Sequence, residues 1–184
     1  MEFIIEKGDI TFYEVDAIVN AANTELLAGG GVCGAIFRKA GYVNLQNECD
    51  KLAPIKTGEA VITKGYDLKA KYIIHAVGPI YSGNKSAPYL KNAYINSLKV
   101  AEDNNLESIA FPSISTGIYG YPLEEASKIA IDAIMNYKYK NLKKVIMVCF
   151  DDNTYQIYKD TYERLKELAW APLIYYKIIF LFLF

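Results

Sequence analysis

The strongest constraint in this sequence is that two of its strand-like runs are apolar at consecutive rather than alternate positions. Residues 17–20 (AIVN) and 72–77 (YIIHAV) have almost no polar face. A strand of that kind is stable only where both sides of its sheet are covered. Amphipathic helical patterns supply the covering layers. Residues 34–52 repeat Ile36, Ala40, Val43 and Cys49 near helical spacing. Residues 89–104 do the same with Leu90, Ala93, Tyr94, Ser97, Leu98 and Ala101. Strands are further expected at 3–6, at 59–63 after a Thr57-Gly58 turn, at 108–111 and at 145–150, and helices at 123–137 and 154–168. No repeat or low-complexity linker interrupts this alternation, so a single layered α/β/α domain is expected.

Composition narrows the function classes. With 184 residues the chain can bury a core without staples. Its 20 basic and 21 acidic residues nearly cancel, which excludes a broad electrostatic grip on nucleic acid. Cys33, Cys49 and Cys149 are far apart and only one histidine is present, so neither a disulfide framework nor a zinc site is expected. Free thiols and an acidic, strand-like N-terminus (MEFIIEKGDI) that lacks the pattern of an export signal lead us to expect a cytoplasmic protein. Nothing in the near-neutral body calls for an assembly, and a monomer is expected.

The end of the chain departs from this pattern. From Leu168 the sequence LAWAPLIYYKIIFLFLF is almost wholly apolar, with Pro172 and Lys177 the main exceptions. As a straight helix it would reach roughly 25 Å, short of the ~30 Å hydrocarbon core of a bilayer. A membrane span is therefore not expected. We divide the chain into a domain at 1–168 and an apolar tail at 169–184, whose role stays open between weak packing on the domain, an interfacial anchor and a partner surface.

The chemistry concentrates between Asn20 and Gly41, in NAANTELLAGGGVCGAIFRKAG. Glycines let a backbone approach a diphosphate closely, and the free N–H groups of a helix's first turn point at an anion. A second glycine-containing stretch, FPSISTGIYGYP from Phe111, ends in Pro122, which suits the first helical position, with Glu124 and Glu125 behind it. Two such loops facing each other would hold a dianion without an arginine cluster. His75 and Cys149 sit inside apolar strands, and buried structural roles are expected for both.

Together with GDITFYEVDAIVNAAN from Gly8, HAVGPIY from His75 and VIMVCFDD near Val145, these segments resemble the macro domain family in order and spacing. They are similar to its bacterial O-acetyl-ADP-ribose deacetylase and mono-ADP-ribosyl hydrolase branch, and the resemblance runs from about Phe3 to Leu168. It implies a three-layer α/β/α fold on a central mixed sheet. It also implies an ADP-ribose site needing no cofactor or metal, with ADP-ribose, O-acetyl-ADP-ribose or mono-ADP-ribosylated protein as partners. On this pattern Asp9 and the Ile10 N–H read the adenine. Gly29, Gly30, Gly31 and Val32 hold the diphosphate and distal ribose, and Ser115, Thr116, Gly117, Ile118 and Tyr119 close from the other side. Asn23 meets the distal ribose and takes part in catalysis, and Asn20 ties the loop backbone beside the ligand. Two positions depart from the family: Cys33 stands where an aspartate usually activates water, and Phe37 where a histidine is usual. The expected function is ADP-ribose binding with weakened hydrolysis of O-acetyl-ADP-ribose or of ADP-ribose on acidic side chains. The alternative is a reader without turnover.

Overall fold

The computed structural model describes the backbone of residues 1–181 and the side chains of residues 1–169. Six strands form one sheet: β1 (Glu2–Lys7), β2 (Ala17–Ala22), β3 (Ala60–Lys64), β4 (Tyr72–Val77), β5 (Ser108–Phe111) and β6 (Lys144–Cys149). Their spatial order is β1-β6-β5-β2-β4-β3, and every pairing is parallel except β3 with β4. The sheet is therefore mixed, as the family resemblance implies.

Helices α1 (Gly31–Ala40) and α2 (Tyr42–Cys49) cover one face. Helices α3 (Ala87–Asp103), α4 (Leu123–Met135) and α5 (Asp152–Leu181) cover the other. Strand alternation explains the division. Ala17 and Val19 of β2, with Val145 and Met147 of β6, join the core under α3–α5, whereas Ile18, Ile146 and Val148 join the core under α1 and α2. The consecutive apolar runs are thus buried on both faces.

Several element boundaries differ from the sequence expectation, for local reasons. The single helix expected at 34–52 is two helices, because Gly41 takes φ 94° and so ends α1 and starts α2. Pro122 is the N-cap of α4 rather than its first helical residue, with Glu124 and Glu125 in the first turn. A short 3₁₀ turn at Ile10–Phe12 had no periodic signal. Helix α5 does not stop near Leu168 but continues through Leu181. The side chains of most of the expected tail, and residues 182–184 entirely, lie outside the described residues. Among the described residues no helix is long and apolar enough to cross a membrane.

Asp16, just before β2, clamps the starts of the strands. Its Oδ2 accepts from the backbone N–H groups of Glu107 (2.8 Å) and Ser108 (3.1 Å), and Lys71 donates to Oδ1 at 2.8 Å. Its carbonyl accepts from Tyr72 N–H at 2.9 Å. Partial burial raises the Asp16 carboxyl, but the Lys71 hydrogen bond and charge and the two backbone donors outweigh burial and hold it below its ordinary value. Fixing the strand starts here leaves the loops at their opposite ends free to build a site.

Asp16→Asn is expected to cost about 1–2 kcal/mol at neutral pH in urea unfolding. Because the folded carboxyl is depressed, that stabilisation is complete above the unfolded pKa and is lost as pH falls through the folded one. The gap between variant and wild type should therefore close in the acid range below about pH 4.

Candidate functional site

The loops at the C-terminal ends of β1, β2, β4, β5 and β6 surround one cleft with two compartments, of about 620 Å³ and 310 Å³. Ligand sites of open α/β sheets form at this end, where helix N-termini and loop amides converge. Gly31, Val32, Ser113 and Gly117 line both compartments and form the waist between them.

Two close approaches set the shape of that waist. A Cβ at Gly34 would lie 2.3 Å from the Gly29 carbonyl oxygen, so α1 passes the first glycine loop at a distance only glycine permits. A Cβ at Gly78, after β4, would lie 2.2 Å from Ser115 Oγ and 2.4 Å from Ile114 Cγ2, which presses the second loop against the sheet. The second loop is also tied internally. Tyr121 N–H donates to Ser115 O at 2.9 Å, Thr116 Oγ1 to Ser113 O at 2.9 Å, and Ile114 N–H to Tyr94 Oη at 3.1 Å. Ile118, 91% exposed, reaches across towards Gly30.

The sequence-derived residues fall into place as follows. Asp9, Ile10 and Thr116 line the larger compartment; Asn23, Gly29, Gly30, Cys33, Ser115, Ile118 and Tyr119 line the smaller; Gly31, Val32 and Gly117 line both. Asp9 Oδ1 accepts from Thr11 N–H (2.9 Å) and Thr11 Oγ1 (2.7 Å), capping the 3₁₀ turn. The carboxylate is thus half committed to local structure.

Asn20 is a correction. It is fully buried, lines neither compartment, and donates from Nδ2 to His75 Nδ1 at 3.1 Å, with Cys33 Sγ at 3.7 Å. Among the described residues it makes no hydrogen bond to the loop backbone. Register is the reason: Asn20 and His75 are partners on the paired parallel strands β2 and β4, so both side chains point to the face beneath α1. The loop is tied instead by Asn23, whose Nδ2 donates to Leu27 O (2.8 Å) and whose Oδ1 accepts from Leu27 N–H (3.0 Å).

Phe37 lines neither compartment. It is 1% exposed and packs edge-on against His75 at 6.2 Å, away from the cleft. Cys33 does reach the smaller compartment, 6% exposed, with Sγ 3.6 Å from Leu27 O as donor.

His75 is a structural residue. Desolvation lowers its pKa to about 3, so it is neutral across the physiological range. With Nδ1 accepting from Asn20, Nε2–H donates to Thr63 Oγ1 at 2.9 Å, and Thr63 Oγ1 in turn donates to Lys64 O at 3.2 Å. Cys49 and Cys149 are buried thiols whose pKa values burial pushes up to about 12. Among the described residues no cluster of His, Cys, Asp or Glu is arranged to hold a metal ion.

Sequence reasoning missed several lining residues, among them Arg38, Val148, Phe150 and Asn153 of the larger compartment and Ala21, Ala22 and Gly78 of the smaller. Phe150 is 80% exposed at the end of β6. An exposed aromatic directly after a buried strand was the signal available for it.

A family model described as Macro domain matches residues 19–130. The ADP-ribose glycohydrolase MACROD2 of Homo sapiens is 50% identical over 159 residues, which span 83% of this chain and 37% of that protein. Among solved structures, the Oceanobacillus iheyensis macrodomain with ADP is similar at a TM-score of 0.84 and 40% identity, covering 88% of this chain and 90% of the other. The Trypanosoma brucei macrodomain in complex with ADP-ribose is similar at a TM-score of 0.80 and 40% identity, covering 86% of this chain and 68% of the other.

Burial of a neutral His75 makes the fold acid-sensitive. The unfolded chain gains a proton near pH 6.5 that the folded state refuses until about pH 3. Stability is expected to be flat in this respect above pH 6.5 and to fall by about 1.4 kcal/mol per pH unit below it. His75→Gln should flatten that slope between pH 6.5 and 5 in denaturant titrations. An unchanged slope would show that another group carries it.

Proposed function

The chain belongs to the macro domain family, and from that premise we propose that it binds ADP-ribose and its derivatives in the two-compartment cleft. One observation carries the reading: two glycine loops face each other at a waist that separates a larger compartment, with Asp9 on its wall, from a smaller one with Asn23 and Tyr119. The adenosine occupies the larger compartment, between Asp9 and the Val148–Phe150 edge. The diphosphate lies at the waist, where the orphan N–H groups of the first turn of α1 and the amides of Ser115–Tyr119 neutralise it. The distal ribose enters the smaller compartment. A similar structure solved with ADP and another solved with ADP-ribose support a ligand of this class. Residues 1–168 form the binding unit.

Hydrolysis is the activity we propose beyond binding, with O-acetyl-ADP-ribose or ADP-ribose on a protein acidic side chain as substrate. The named glycohydrolase among the relatives supports it. In this chain the residue at the distal ribose is a thiol, Cys33, rather than a carboxylate base. A positioned general base is worth about 10²–10⁴-fold, or roughly 3–5 kcal/mol of transition-state stabilisation. Turnover therefore relies on the loops holding the substrate's own phosphate against the attacking water and is slow. Engagement of Cys33 Sγ and of both Asn23 amide atoms with Leu27 favours the second reading, a reader that binds without turnover.

Calorimetry should show saturable ADP-ribose binding, and its absence at millimolar ligand would remove the whole assignment. With O-acetyl-ADP-ribose and mono-ADP-ribosylated protein as substrates, Cys33→Asp is expected to accelerate release at least about tenfold. Asn20 Nδ2 is already placed to orient a carboxylate introduced there. Phe37→His, remote from the cleft, should not accelerate it. Equal rates for wild type and Cys33→Asp would refute the weakening ascribed to the thiol, and turnover by the variant alone would establish the reader.

A further inference from the structure

Three hydroxyl groups meet behind the second glycine loop. Tyr158 of α5 is fully buried, and its Oη lies 2.9 Å from Oγ of Ser113. Tyr94 of α3, also fully buried, accepts from the Ile114 N–H at 3.1 Å and donates to Pro112 O at 3.4 Å. Both tyrosines are thus bound to the segment 112–114 that opens the loop, and neither can turn to water. Ser113 is different. It is only partly buried and lines both compartments at the waist. Its carbonyl accepts from Thr116 Oγ1 at 2.9 Å, which fixes the backbone on which the hydroxyl stands.

The proton count fixes the direction of the Ser113–Tyr158 bond. A hydroxyl carries one proton, and a buried O–H left without an acceptor costs about 1–3 kcal/mol. Burial pushes the Tyr158 phenol up to about 12, so it keeps its proton. The Tyr94 oxygen already receives the Ile114 N–H and passes its own proton to Pro112 O, whereas Ser113 Oγ stands 2.9 Å from Tyr158 as an acceptor. Tyr158 is therefore the donor. The proton of Ser113 is then free for the cleft. We propose that Ser113 gives it in a hydrogen bond to the diphosphate of the ligand, and that Tyr158 is the positioning residue that keeps the serine hydroxyl a donor at the waist. The proposal rests on the ADP-ribose reading above. A hydrogen bond to an anionic oxygen is stronger than one between neutral groups, and the buried Tyr158 donor polarises Ser113 further. The contact adds a side-chain donor of fixed direction to the backbone amides of the two loops, and it connects the ligand to α5 through a buried phenol.

The test measures the affinities of the full chain for ADP-ribose, ADP and adenosine, the last by competition, in wild type, Ser113→Ala, Tyr158→Phe and the double variant. Ser113→Ala is expected to weaken ADP-ribose and ADP about tenfold and to leave adenosine, which has no phosphate, unchanged. Tyr158→Phe keeps the ring in place and should weaken the two phosphate ligands about threefold, but it should cost nothing further in the Ser113→Ala background. The double variant leaves no buried hydroxyl orphaned, so its comparison with Tyr158→Phe reads the Ser113 contact even if Ser113→Ala alone is unstable. An unchanged ADP affinity without the Ser113 hydroxyl would overturn the proposal, and so would an equal loss for adenosine. Losses from the two substitutions that simply multiply would overturn the positioning role of Tyr158 and keep the Ser113 contact. A wild type that binds none of the three ligands would remove the ADP-ribose reading itself.

Discussion

The contact between α1 and the first glycine loop is the constraint from which the rest of the site follows. With the Gly29 carbonyl where a Cβ of residue 34 would stand, the helix cannot rotate or slide without collision. Its phase is thereby fixed. Cys33 faces the smaller compartment, while Ile36, Phe37 and Ala40 face the core above β2 and β4. The same approach brings the first turn of α1 to the waist of the cleft. On the other side, the close fit of Gly78 against Ser115 and Ile114 does the equivalent work for the second loop.

Beneath the first loop, the Asn20–His75–Thr63 chain links β2, β4 and β3 through side chains as well as through the backbone ladder. It is buried and uncharged, so it gives directionality to the floor of the site without the desolvation cost of an ion pair. Asn20 Nδ2 also touches Cys33 Sγ. Cys33, on the wall of the smaller compartment, is thus connected to the buried framework, and a change at Cys33 is felt on both sides of the wall. Asp16 acts at the opposite end of the sheet, where it fixes the strand starts. Its charge is held in place by donors, whereas His75 is held neutral by burial, and the two respond to acid in different pH windows.

Much of the architecture was legible in the sequence. Consecutive apolar residues in 17–20 and 72–77 required a sheet covered on both faces, and the helical periods identified the layers. Boundaries were less legible where a single backbone conformation decided them. Gly41 looks like a tolerated interior glycine until its positive φ divides the helix. The continuation of α5 beyond Leu168 escaped notice because an apolar composition does not distinguish helix from strand or loop. At the site, the two glycine loops were readable because glycine in a row is a local demand on the backbone. The inward turn of Asn20 was not, because an asparagine's sequence position does not say which way its amide turns.

The sequence by itself determined the layered fold and the two glycine-containing loops, since each depends on residue type and spacing within single stretches of chain. Only the tertiary structure decided which residues the cleft contains. Strand register turned Asn20 inward onto His75, helix phase kept Phe37 in the core, and loop closure by Ile118 and Tyr119 left a compartment without charge beside Cys33. These are relations between elements distant in sequence, and they exist only once packing has fixed the elements against one another.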